Sequence, residues 1–141
     1  MSRDQVFIRG RWKGLYAPDA DDIAEMAEEA LTIIPDPLRS QLQNVIISVE
    51  EFPDDEIIGA MKLETPFDLL GLYQGVSLDQ KSSFDPPLEP DMVILYRRPI
   101  LDYWCESDDS LDAVVRHVLI HEIGHHFGLS DEDMERIEAS A

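Results

Sequence analysis

Cysteine is nearly missing from this sequence: Cys105 is the only one in 141 residues. No disulfide can form within the chain, which fits a reducing cytoplasm, and Cys105 reads as a buried, inert thiol. Long apolar runs are missing too. Stretches such as Met92–Tyr96 fall far below the roughly 20 residues that cross a bilayer, so no transmembrane helix is expected. The opening MSRDQVFIRGRWKG carries charges and lacks the apolar core of a secretory signal. The expected location is therefore cytoplasmic.

Basic residues are scarce. Eleven Lys and Arg face 30 Asp and Glu, a net charge of −19. Such a surface repels nucleic-acid backbones and anionic lipid heads, so neither nucleic acid nor membrane is an expected partner. It attracts cationic peptides and basic protein segments, although solubility alone also explains it. The charge is uneven: Arg3, Arg9, Arg11 and Lys13 against Asp4 make residues 1–14 locally +3.

What is present is globular. Apolar residues make up 44% of the chain and charged residues 29%, a balance that supports one ordinary folded domain. Ala17-Pro18-Asp19 opens a helix in which Ile23, Met26, Ala27, Ala30, Leu31 and Ile34 follow helical spacing, and Pro35 stops it. Asn44–Phe52 is rich in β-branched residues and reads as a buried strand. Residues 54–63 suggest a short helical turn. Leu69–Leu78 reads as a strand punctuated by Gly71 and Gly75, and 79–91 as a polar, proline-bearing loop. Asp91–Arg98 is the clearest strand; Pro99 ends its ladder, and Ile100–Glu106 reads as a helical turn. Ser110–Phe127 is a long helix with an apolar stripe of Leu111, Val114, Val115, Val118 and Leu119. Asp108, Asp109 and Ser110 offer its N-cap and Gly128 its C-cap. Asp131–Ala139 closes the chain as a short helix. Strands in the middle with helices on either side predict an α+β or mixed α/β layered domain.

The chemistry lies on the long helix. His121-Glu122-Ile123-Gly124-His125 is HExxH. Residues four apart on a helix stand one above the other, so both imidazoles can reach one metal at about 2.1 Å. Glu122 lies on the adjoining strip, where its carboxylate can take a proton from a metal-bound water. A bound zinc would lower the pKa of that water and polarise a scissile carbonyl.

Zinc in a catalytic site takes three protein ligands and keeps a fourth position open. The continuation HExxHxxGxxD supplies a third candidate: Gly128 can take positive φ and break the helix, letting the chain turn back to present Asp131. A second role for Asp131 stays open, as a cap of the last helix beside Ser130. Glu132 and Asp133 are carboxylates that could substitute for it.

His117 extends the series to i, i+4, i+8. It cannot share a metal with both later histidines, because eight helical residues advance about 12 Å; it reads as a packed or supporting group. His126 points about 100° away from His125 and reads as solvated or supporting. Gly124 disfavours a helix interior by about 1 kcal/mol, which a close approach of another element would explain. Tyr96, Arg97 and Arg98, at the end of the clearest strand, could stabilise an oxyanion or be structural.

HEIGHHFGLSDEDM, with LGLYQGV and VILYRRPI upstream, resembles a family of small bacterial zinc metallopeptidases with a minimal zincin-like fold. The likeness runs from about Ala17 to the end of the chain. It implies an α+β fold in which a mixed β-sheet packs against the active-site helix carrying HExxH, with an edge strand beside the cleft. It also implies a single metallopeptidase domain over 17–141, and the basic residues at the start of the chain read as an extension over 1–16. Carried over residue by residue, it implies zinc binding by His121, His125 and Asp131, and a catalytic Glu122. Asp stands where the metzincins have a third histidine.

The expectation is a zinc metallopeptidase acting on peptide or protein substrates. A module that keeps zinc without turnover is the first alternative. A metal-dependent endoribonuclease is the second; the presence of Glu122 and the acidic charge oppose it.

Overall fold

Asp19 begins the first of the described helices, and its carboxylate accepts the Asp22 N–H at 2.8 Å while Asp22 accepts the Asp19 N–H at 2.9 Å. This reciprocal cap satisfies donors that a helix start leaves free, and helix α1 then runs over Ala20–Leu31. The computed structural model describes residues 13–75 and 90–141. Through those residues the chain continues as α2 (Leu38–Gln41), β1 (Ile46–Glu50), α3 (Asp55–Ala60), a 3-10 turn (Pro66–Asp68) and β2 (Gly71–Gln74). It ends with β3 (Met92–Tyr96), α4 (Arg97–Glu106), α5 (Leu111–Phe127) and α6 (Asp131–Ala139). Helices around a small mixed sheet make an α+β fold, as the sequence predicts.

The described strands form one three-stranded sheet in the order β1-β3-β2. β1 runs parallel to β3, with Ile46 beside Met92 and Glu50 beside Tyr96. β2 runs antiparallel to it, with Gly71 opposite Leu95 and Gln74 opposite Met92. The central position explains the composition of β3: Val93, Ile94, Leu95 and Tyr96 are all buried, and a strand covered on both faces reads as a continuous apolar run. β1 differs from the buried strand expected over 44–52. Among the described strands it lies at the edge, half-buried along its middle, and Ile46 is 46% exposed. An apolar β-branched run has the same appearance at an edge as at a centre; strand order is decided by the rest of the fold.

Helix α5 is the core element. Leu111, Val114, Val115, Val118, Leu119 and Ile123 join Ile23, Ala27, Ala30 and Ile34 with Val93 and Leu95 in one apolar cluster. Burying a side chain of this kind contributes about 1.5–3 kcal/mol, so the cluster fixes α5 against both α1 and the sheet. Gly71 lets β2 come close, since a Cβ there would meet Val118 Cγ1 at 2.8 Å.

Several expectations need adjustment. The strand ending at Arg98 stops at Tyr96, and a ten-residue helix, α4, follows directly in place of a single turn. Its Pro99 stands in the first turn, where a missing N–H has no partner to lose. Cys105, on that helix, is exposed rather than buried. Residues 13–16 are exposed, while most of the basic extension expected over 1–16, the loop expected from 79, and residues 76–78 of the second strand lie outside the described residues. Among the described residues, no helix is long and apolar enough to cross a membrane.

Candidate metal centre

The site is built on α5 and on the way α5 stops. Ser110 caps its start by accepting the Ala113 N–H at 3.4 Å. At its end Gly128 takes the left-handed conformation, φ 74°. The Leu129 N–H then reaches the Gly124 carbonyl at 2.8 Å and the Gly128 N–H reaches the His125 carbonyl at 3.4 Å. This pair of bonds is a Schellman closure, and it reverses the chain. Ser130 begins α6 by accepting the Asp133 N–H at 3.1 Å, and Asp133 accepts the Ser130 N–H at 3.4 Å. Helix α6 packs back along α5, with Met134 fully buried against Gly124. That contact is the close approach that Gly124 suggests: a Cβ there would overlap the Met134 side chain.

His121 and His125 stand on successive turns with ring centres 5.8 Å apart and planes at 87°. A ring centre sits about 3.2 Å from an ion bound at about 2.1 Å, so two rings on one ion can stand at most about 6.4 Å apart. The observed separation meets that condition. His121 is partly buried, and its Nε2, out of solvent, lies 3.0 Å from Glu138 Oε1 without making a hydrogen bond. A buried, unpartnered ring nitrogen suits a metal, because a coordinate bond would replace the missing hydrogen bond. His125 is exposed, which leaves the outer side of the pair open to a substrate.

Glu122 is half-buried between α5 and β2. Burial pushes its carboxyl above the usual carboxylate range, while His125 and the Tyr73 backbone N–H pull it back. Beside it, Tyr73 stacks on His126 with ring centres 3.9 Å apart and donates its hydroxyl to Asp91 at 2.8 Å. His126 is thus exposed but held against β2, not simply solvated.

Asp131 is the first residue of α6 and is exposed. The capping box uses Ser130 and Asp133, so the Asp131 carboxylate is not occupied as a cap. It makes no ion pair or hydrogen bond with either histidine and does not converge with them. The group of metal-binding donors that does converge among the described residues is His117, His121 and Glu138, with all three donor atoms within 4.8 Å of one another. Of the two readings of His117, packed or supporting, the packed one does not hold: its side chain is 52% exposed, and its Nδ1 lies 3.0 Å from Glu138 Oε1.

Glu138 is the residue that sequence reasoning misses. It follows Asp131 by seven residues, which returns it to nearly the same face of α6. Treating α6 as an antiparallel return from Gly128 places that face opposite His117 and His121. The signal is a heptad across a reversal rather than a local motif.

The strand-end residues are structural. Arg97 donates to the Pro18 carbonyl and to Glu51, each at 2.7 Å. Arg98 lies over the Phe52 ring at 5.6 Å. Tyr96 is fully buried in the core, and burial, with the Glu50 and Asp54 carboxylates, pushes its hydroxyl up to about 12.

A buried helix bearing HExxH, packed on a small mixed sheet and reversed at a glycine, defines a zincin-like domain. The chain belongs to the zincin-like metallopeptidase family, whose model matches residues 42–141. That stretch takes in every element from β1 to α6, and so the whole candidate site. No curated protein matches the chain.

Proposed function

We propose that the protein is a zinc-dependent peptidase in which His121, His125 and Asp131 hold the metal and Glu122 is the general base. The observation that carries this reading is the pairing of His121 and His125 at one-ion spacing beside a half-buried Glu122 on a rigid core helix. Membership of a zincin-like metallopeptidase family supports it.

When bound, zinc would polarise the scissile carbonyl and acidify the attacking water. Glu122 takes one proton from that water as its oxygen bonds to the carbonyl carbon. The same carboxyl then gives the proton to the amide nitrogen as the carbon–nitrogen bond breaks. Its raised proton affinity, set by burial, suits a group that must both accept and return a proton. For Asp131 to join the histidines the first turn of α6, next to the left-handed Gly128, would have to move toward them.

The proposed substrates are peptides or proteins, with Lys or Arg near the scissile bond favoured by the net charge of −19. A free, exposed Cys105 suits a reducing cytoplasm. The test is metal analysis of the purified chain, paired with an unbiased peptide-cleavage screen. One zinc per chain with cleavage supports the reading. Zinc without cleavage of any peptide would make it a metal-keeping module, and no zinc after reconstitution of the folded chain would overturn it.

A further inference from the structure

His121 Nε2 and Glu138 Oε1 face each other at 3.0 Å. Neither reaches solvent and neither has a hydrogen-bond partner, so the pair is close but off the line a hydrogen bond needs. Glu138 Oε1 is also 3.0 Å from His117 Nδ1, and the His117 and His121 rings lie 4.0 Å apart. Ligand atoms on one tetrahedral ion at about 2.1 Å stand about 3.4 Å apart. Three donors thus already sit near ligand spacing; Glu138 Oε2 pairs with His117 Nδ1 at 3.1 Å, while the atoms His121 Nε2 and Glu138 Oε1 are out of solvent and unsatisfied. Two imidazoles and one carboxylate suit a divalent transition ion of the zinc kind rather than magnesium or calcium. Access exists: His117 and Glu138 form part of the wall of an open cleft of ≈ 410 Å³.

We propose that His117, His121 and Glu138 form a second zinc-class cation site that shares His121 with the His121–His125 pair. His117 and His125 are separated by about 12 Å of helix, so one ion cannot serve both. An ion held by His117 and Glu138 draws His121 away from His125 and empties the hydrolytic arrangement. Glu138 therefore gives the last helix a means of diverting the metal. The competition rests on the reading of His121 and His125 as peptidase ligands; the three-donor site does not.

The experiment uses the full chain, stripped by chelator and titrated with Co²⁺ followed by visible absorption and equilibrium dialysis. His117 and His125 are exposed and Glu138→Gln is isosteric, so the variants keep the fold, which near-UV circular dichroism checks. Wild type takes up one ion. His125→Ala still takes up one ion, with an altered absorption band. Adding Glu138→Gln or His117→Ala to His125→Ala weakens binding by at least about 100-fold, as expected when three ligands become two. Complete loss of binding in His125→Ala alone overturns the proposal and leaves the peptidase site standing. Loss in His117→Ala with no effect of His125→Ala supports the three-donor site and removes the peptidase ligand set. Two ions bound at once to wild type overturn the sharing of His121.

Discussion

The thioether of Met134 lies over the bare Cα of Gly124, in space that any β-carbon at that position would overlap. This contact seats α6 on the motif helix one residue before His125. Gly124→Ala gains about 1 kcal/mol of helix propensity, but overpacking a buried site costs about 1–3 kcal/mol. The expected net effect is a loss of about 1 kcal/mol. Met134→Ala alone should cost about 2–5 kcal/mol. The double variant should fall short of the sum, because the shortened side chain makes room for the added methyl. Urea unfolding of all four proteins gives the coupling, and strict additivity would refute the contact.

Glu122→Gln is expected to keep the metal and to lower peptide cleavage by about 10²–10⁴-fold. Gln fills the same volume but cannot carry a proton from water to the leaving amine. Metal analysis beside a cleavage assay checks this. A loss of zinc as complete as in His121→Ala would mean that Glu122 holds the metal.

The run Ser130-Asp131-Glu132-Asp133 separates cap from ligand. Ser130 and Asp133 close the capping box, so Asp133→Ala and Ser130→Ala should each cost about 1 kcal/mol of stability and leave zinc affinity nearly unchanged. Asp131→Ala should do the reverse. Glu132→Ala should do neither. Calorimetric zinc titration and thermal unfolding of the four variants are sufficient, and a zinc defect confined to Asp133→Ala would move the ligand to that residue.

Alkaline pH should loosen the core through Tyr96. Its pKa is higher in the fold than the ordinary value of about 10, so the fold favours the protonated phenol. That contribution is complete below pH about 10 and is lost as pH rises through about 12. The hydroxyl has no partner among the described residues, so Tyr96→Phe should change stability by no more than about 1 kcal/mol at neutral pH. Above pH about 10 the variant should lose stability more slowly than wild type. Parallel slopes in chemical unfolding across that range would exclude Tyr96 as the cause.

Much of the architecture is legible in the sequence because its signals are local. α5 announces itself through the spacing of Leu111, Val114, Val115, Val118 and Leu119, a serine cap and a closing glycine, and its limits match. His121, Glu122 and His125 come with it, since their relation is that of one helix. What was missed depends on the packing of separate elements. The exposure of β1 depends on β3 taking the centre of the sheet. Cys105 is exposed because α4 turns that face outward. Glu138 meets His117 and His121 only through the reversal at Gly128, and its heptad spacing from Asp131 gains meaning only once that reversal is known.

Helix α6 has nine residues and one buried side chain, Met134. Isolated helices shorter than about 12–15 residues are marginal in water, so α6 persists because it is latched to α5, and an element with so little buried surface is expected to open locally. Asp131 and Glu138 both ride on it and leave together when it lifts. An ion gripped by either becomes a second latch beside Met134. Metal occupancy is then written into the amide hydrogen exchange of α6, which slows when an ion is bound and quickens when it is withdrawn, even where no substrate has been found.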